Sequence, residues 1–381
     1  MHPALPAILD LARWAPSGDN TQPWRFEAAG DCLIIHGHDT RDHCVYDLRG
    51  HASLIALGAL LETIAIAAST QGLRAAFTPL AADEDHLDPR PAQPADSSAG
   101  VSPATSGRYR FAAAFSPFPS GDVDAKSHSD PLASFIEKRV TQRRPLSTRR
   151  ITPQQQQTLS AALPPGFRVE FRPSIVDRFR LARLLFRSAH IRLTTREAYE
   201  THRVVIQWGA RFSEDRIPDQ AVGVDPLTRR LMRWVMGSWG RVQFLNRFLA
   251  GTIAPRVQLD FMPALRCAGH FFLIAENPPS SSDDFVAAGR ALQRYWLTAT
   301  SLGLLAQPEM TPLIFAQYTK AGVRFTQSQQ ALDRAARITG QLDDLLGREV
   351  CQRTVFMGRI GFGRNPVSRS LRLPVERLMK P

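Results

Sequence analysis

Cysteine is scarce, and Cys32, Cys44, Cys267 and Cys351 are scattered with no regular spacing and no C-x-x-C pair, which argues against a disulfide framework or a zinc site. They are expected to be idle or buried thiols. No run of eighteen apolar residues is present to span a bilayer, and the opening "MHPALPAILDLARW" lacks the basic segment, unbroken apolar core and cleavage site of a secretory signal. A cytoplasmic chain with no membrane partner is expected. Acidic residues are in deficit, 35 Asp and Glu against 47 Lys and Arg, for a net charge of +12 that is mostly arginine. Such a surplus suits phosphates and other anions. Dispersed pairs such as Arg149-Arg150 and Arg229-Arg230 make no basic recognition stripe, so nucleic acid is not an expected partner. There is no nucleophile elbow and no Ser-His-Asp order. His51, His190, His202 and His270 each stand alone, which argues against a metal centre.

With 44% hydrophobic residues the chain can bury a large core, and its length suits two lobes. The pattern predicts a short helix over Ala4–Trp14 that Pro16 ends, a strand over Cys32–Asp39, and a long helix from about Ser53 to Gln71 capped by Gly72. That helix is apolar all round and belongs in a core or an interface. Residues 82–107, rich in Pro, Ser, Ala and Asp, read as a mobile surface insertion. The first lobe spans about 1–125. The second, 131–381, starts with a helix predicted at Pro131–Arg139 and continues with a helix N-capped by Thr152 and a strand at Phe167–Ser174. A helical stretch from Asp177 to Leu249, a strand at Cys267–Glu276 and a helix capped by Ser281 or Ser282 follow.

The two long helices echo each other. At one constant offset Gly58 matches Gly289, Leu61 matches Leu292, Ala68 matches Ala299 and Gly72 matches Gly303. Shared composition of buried helices could give this by chance; duplication of one α+β unit gives it directly.

Between the first helix and its strand lies "ARWAPSGDNTQPWRF", which resembles the A-P-S-x-x-N-x-Q-P-W-x-F signature of the flavin-dependent nitroreductase superfamily. The family's R-x-S-x-R segment does not precede it; the matching stretch, "EKRVTQRRPLS", comes much later. The resemblance implies an α+β fold of mixed, mostly antiparallel sheets flanked by helices, duplicated into a pseudo-dimer on one chain. It implies FMN held between the lobes, with Pro16, Ser17, Gly18 and Asn20 as a wall and Arg139, Thr141 and Arg143 toward the phosphate and the pyrimidine edge. Pro308, Glu309 and Met310 would pass the ring, with the Met310 N–H near N5, and Arg369 and Arg372 on the tail would reach the phosphate. No second signature follows Arg143, so one FMN per chain is expected. The region of about 178–259 would be a lid, with Trp208, Trp234 and Trp239 as stacking surfaces.

The implied activity is ping-pong hydride transfer from NAD(P)H to a nitroaromatic, quinone or unsaturated metabolite, with no catalytic side chain beyond the flavin's own chemistry. The alternative is a non-enzymatic flavin-binding or sequestering protein under a closed lid. Either could be a monomeric pseudo-dimer or a homodimer acting on a small molecule.

Overall fold

The computed structural model describes residues 2–30, 32–80, 109–118, 128–248 and 251–380; the insertion expected at 82–107 lies outside them. The first helix, Leu5–Ala12, begins with proline in its first turn, where a missing N–H costs nothing. Beyond the signature turn the chain alternates. Trp24 and Phe26 point into the core from β1 (Trp24–Ala29), which pairs antiparallel with β2 (Cys32–Gly37) in the register Trp24 to Gly37. The first core helix, His51–Ser69, follows, buried nearly all round as its composition requires. It is long and apolar enough to cross a membrane, yet it lies inside the core. Gly72, at φ +68°, then turns the chain into β3 (Leu73–Leu80), which pairs with β4 (Tyr109–Pro117).

The second half repeats this plan. β5 (Phe167–Arg172) pairs with β6 (Gly269–Ala275); the second core helix, Ser282–Ser301, leads to β7 (Leu305–Pro308), and β8 (Thr354–Gly361) lies between β7 and β6. The first sheet runs β1-β2-β4-β3 and the second β5-β6-β8-β7, every neighbour antiparallel. The chain is thus α+β, with the same strand order and helix placement in each half.

The two core helices cross at Gly58 and Gly289. A Cβ built on Gly58 would stand 1.9 Å from the Val286 carbonyl oxygen, and one on Gly289 2.0 Å from the Ile55 carbonyl oxygen. Only glycine lets two backbones approach so closely. The contact is reciprocal, because Ile55 and Val286 share the offset that relates Gly58 to Gly289.

Two expected elements come out differently. Only Pro131–Phe135 forms a short 3₁₀ helix, N-capped by Asp130; a turn over 136–138 follows, the helix does not resume, and Thr141 bridges Ala306 on β7. The stretch 177–249 is not continuous helix. It holds helices Ile175–Thr194, Arg196–Val205, Pro226–Val235 and Trp239–Phe248. Gly209 and Gly223, both at positive φ, and Pro218 and Pro226 interrupt them with short strand ladders. One ladder pairs Phe212–Ser213 with Arg369–Ser370 of the tail. The tail then crosses to the first half, where Lys380 N–H donates to the Phe26 carbonyl.

Candidate functional site

A cavity of about 400 Å³ opens between the halves. Its floor comes from both core helices: Ala52, Ile55, Ala56 and Ala59 from the first, Leu292 and Trp296 from the second. One wall is the signature turn. The only non-glycine residues at positive φ among those described are Asp19 (+50°), Asn20 (+65°) and Gln22 (+47°), so backbone strain is concentrated here. Side chains of the same turn hold it in place. Ser17 Oγ accepts from the Gln22 N–H, Gln22 Oε1 accepts from the Leu373 N–H, and Asn20 and Gln22 amides donate to the Glu214 carbonyl at 3.0 and 2.8 Å. The signature's polar residues therefore stitch lid and tail to the wall, leaving Asn20 Oδ1 buried without a partner.

At one end stand Arg139, Arg369 and Arg372. Arg139 and Arg372 are buried, and among the described residues none of the three has a carboxylate within ion-pair distance. They are held by backbone and rings instead. Arg139 donates to the Trp14 carbonyl (3.1 Å) and lies 4.8 Å over Trp296; Arg372 donates to the Ala15 carbonyl (3.0 Å); Arg369 donates to the Glu137 carbonyl (3.0 Å) and lies 4.9 Å over Trp14. Burial and then the neighbouring Arg369 bring Arg139 down to about 9, and burial followed by Arg139 and Arg369 brings Arg372 down as well. The Nε atoms of Arg139 and Arg369 are buried and unpartnered. Two buried cations, Arg139 and Arg372, set beside a third with no ion-paired carboxylate are costly unless an anion sits on them.

Opposite, Thr141 and Arg143 line the cavity, Arg143 reaching the Ala221 carbonyl at 3.5 Å. Pro308, Glu309 and Met310 form the remaining edge, where helix Thr311–Lys320 begins and its first amides have no intrahelical acceptor. All twelve residues singled out as cofactor contacts thus face one cavity.

Glu309 is less simple than expected. Its carboxylate bonds His270 Nδ1 at 2.7 Å and Arg359 at 2.8 Å, all three buried. His270 Nε2 lies 3.0 Å from the Ala264 carbonyl, so both ring nitrogens meet acceptors and the ring is an imidazolium. Burial opposes that charge, but the adjacent Glu309 outweighs it and raises His270 to about 10. His270 is no metal ligand; it anchors Glu309 and so Arg359, which donates to the Arg143 carbonyl at 2.8 Å. Because the folded-state value is raised, the stabilisation is complete below about 6.5 and lost as pH climbs through about 10. The unfolding free energy of the wild type, measured by denaturant titration, should fall across that window by on the order of a few kcal/mol, and His270→Gln should flatten the fall.

Residues of the stretch 178–259 line the cavity, but the three tryptophans are not among them. Leu185, Arg192, His202, Val205, Ile217 and Asp260 are among its lining; Trp208, Trp234 and Trp239 are not. Trp234 is half exposed, and Trp239 packs on Tyr199. Polar groups that the sequence alone did not single out gather beneath this lid. Arg192 bonds Asp260 at 2.7 Å, Tyr46 hydroxyl bonds His202 Nε2 at 3.0 Å, and Asp19 faces both Arg143 and Arg192. Burial and Arg192 lower His202 to about 3, which keeps it neutral.

The signature turn and the Arg139 segment, far apart in the chain, face each other across one cleft. No family model matches the chain, and no curated protein matches it in sequence. Among solved structures it is similar to a nitroreductase-like family protein from Bacillus cereus, at 13% identity over 66% of this chain and 96% of that one, with a TM-score of 0.34. It is also similar to the FMN-dependent nitroreductase NfnB from Mycobacterium smegmatis, solved with NADPH, at 14% identity over 65% and 97% with a TM-score of 0.36. A third is iodotyrosine deiodinase bound to FMN and 3-iodo-L-tyrosine, at 14% identity over 64% and 94% with a TM-score of 0.29.

Where the first half would mirror this cleft, the second half differs. Ala59 of the floor corresponds to Arg290, which pairs with Glu62 at 2.9 Å, and Trp296 corresponds to Ala65. Arg294 joins Glu62 and Asp130 in the same cluster.

Proposed function

We propose that the chain is an FMN-dependent oxidoreductase of nitroreductase type, with lobes 1–125 and 131–381 as two fused copies of one unit and one flavin site between them. The observation that carries this is the cluster of Arg139, Arg369 and Arg372, with no ion-paired carboxylate among the described residues, at one end of a cavity whose wall is the signature turn. Its unpartnered Nε atoms fit a phosphate dianion, to which guanidinium groups offer paired donors. Ala56, Ala59 and Leu292 fit a flat apolar ring, and Asn20 Oδ1 and Gln307 Oε1, both buried and unpartnered, fit its polar edges. When bound, FMN supplies hydride chemistry between a nicotinamide and a small acceptor.

The chain's own residues then have separate tasks. The three arginines bind and orient the phosphate. Arg143, braced through its carbonyl by Arg359, sets positive charge at the far edge and favours a reduced, more anionic ring. The lid excludes water and bounds the acceptor pocket with Arg192, Asp260, Tyr46 and His202.

FMN titration of apoprotein should saturate at about one per chain, since in the mirrored place Arg290 and Arg294 are already paired with Glu62 and Ala65 stands where the cleft has Trp296; a stoichiometry of two would contradict the single site. The yellow protein should bleach when NADH or NADPH is added without oxygen. Indifference to both nicotinamides would leave the flavin-sequestering reading, which the lid over the cavity favours, and a protein that never takes up FMN would sink both.

A further inference from the structure

The region between the cavity's lid strands and Asp260 has a second character that flavin binding does not use. From Pro226 to Arg256 there are six arginines and no aspartate or glutamate. Helix Pro226–Val235 is amphipathic: Leu227, Leu231 and Trp234 recur at helical spacing on one face, and Arg229, Arg230 and Arg233 lie on the other. Its orientation is inverted for a soluble protein. Leu227 is 76% exposed, Trp234 51%, and no residue of the helix is buried, while Arg229 turns back to Asp219 at 3.6 Å. Helix Trp239–Phe248 adds Phe244 and Phe248, their rings tilted to each other at 5.1 Å and also exposed, the latter 63%, and Ile253 follows. Arg241 lies 4.8 Å over the Trp234 ring and Arg247 5.5 Å over Phe248, so cations rim the apolar surface. Asp225 caps the first helix, which is therefore formed before anything docks.

We propose that helices Pro226–Val235 and Trp239–Phe248 are a peripheral docking surface for an anionic lipid bilayer. A contiguous apolar patch of this kind marks an interaction site, and the charge around it selects the partner. Nucleic acid would take up the arginines but leave Leu227, Leu231 and Phe248 in water. An anionic bilayer accommodates both, leucines and rings entering the acyl boundary while arginines meet headgroup phosphates. Each helix is ten residues, about 15 Å, so each lies in the interface and neither spans. The absence of a long apolar run, which excludes spanning by this region, is no bar to such a contact.

Sedimentation of the full chain with vesicles tests this without reference to flavin. Binding is expected to phosphatidylcholine vesicles containing phosphatidylglycerol, far less to phosphatidylcholine alone, and to weaken as salt is raised. L227E/L231E/W234E should weaken it roughly tenfold or more. R230E/R247E should abolish the preference for phosphatidylglycerol. Because these side chains are exposed, thermal melting of both variants should match wild type; a large loss of stability would mean the face is packed and would overturn the proposal. So would vesicle binding that the apolar variant leaves intact. Failure to bind vesicles, joined to a dimer in sedimentation velocity that L227E/L231E/W234E dissolves, would assign the face to a second copy. Duplex DNA binding lost in R230E/R247E alone would assign it to nucleic acid.

Discussion

Gly289→Ala is expected to be among the most damaging single substitutions in the chain. The new methyl would meet the Ile55 carbonyl at 2.0 Å and the Ala59 nitrogen at 2.9 Å, both backbone atoms of a helix buried on nearly every side. Neither can swing away as a side-chain tip would, so the two helices must separate and the core around Leu60, Leu61 and Ala291 must open with them. A loss of about 3 kcal/mol or more is expected in urea unfolding, with Tm lower by on the order of 5–10 °C. Gly58→Ala meets the Val286 carbonyl at 1.9 Å and should cost a similar amount. One separation of the helices relieves both clashes, so the double variant should lose clearly less than the sum. Strict additivity would mean that each methyl is absorbed locally and that the crossing is not a single rigid contact. Ile55, Ala59 and Leu292 also floor the cavity, so FMN affinity should fall alongside stability.

Arg139→Ala should separate binding from folding. Charge-assisted hydrogen bonds to a phosphate contribute about 1.5–3 kcal/mol each, so FMN affinity, followed by quenching of flavin fluorescence, should drop about 10- to 100-fold. In the apoprotein the same change removes a buried cation from beside Arg369 and Arg372. The melting temperature of apo Arg139→Ala should therefore equal or exceed that of apo wild type, and inorganic phosphate should raise the wild-type value more than the variant's. If Arg139 acted only through its contacts with Trp14 and Trp296, the apoprotein itself would be destabilised and phosphate would have no differential effect.

Much of the site was legible because its determinants are local in sequence. The signature turn needs a particular run of small and polar residues to hold Asp19, Asn20 and Gln22 at positive φ, and the glycines of the core helices mark where backbones touch. Residues whose role depends on strand register were not legible. Arg359 pairs with His270 across β8 and β6, and this register, which neither strand's own sequence specifies, brings both to Glu309. The lid shows a different limit. Helical spacing sets Leu227, Leu231 and Trp234 on one face, but which way a face turns is decided by what packs on the other side, here Asp219 holding Arg229. The helix expected at Pro131–Arg139 stops early because Thr141 must reach β7 and bridge Ala306, a tertiary demand that outweighs local preference.

In a symmetric homodimer every substitution is felt twice, once on each side of the axis. Ala59 and Arg290 hold equivalent places on the paired core helices, yet one floors a cavity and the other closes an ion pair. On a single chain such positions are inherited and tested separately. The helix crossing, where Gly58 and Gly289 each constrain the other, must stay matched, while the two faces it supports are free to diverge, one lining the cleft and the other carrying ion pairs.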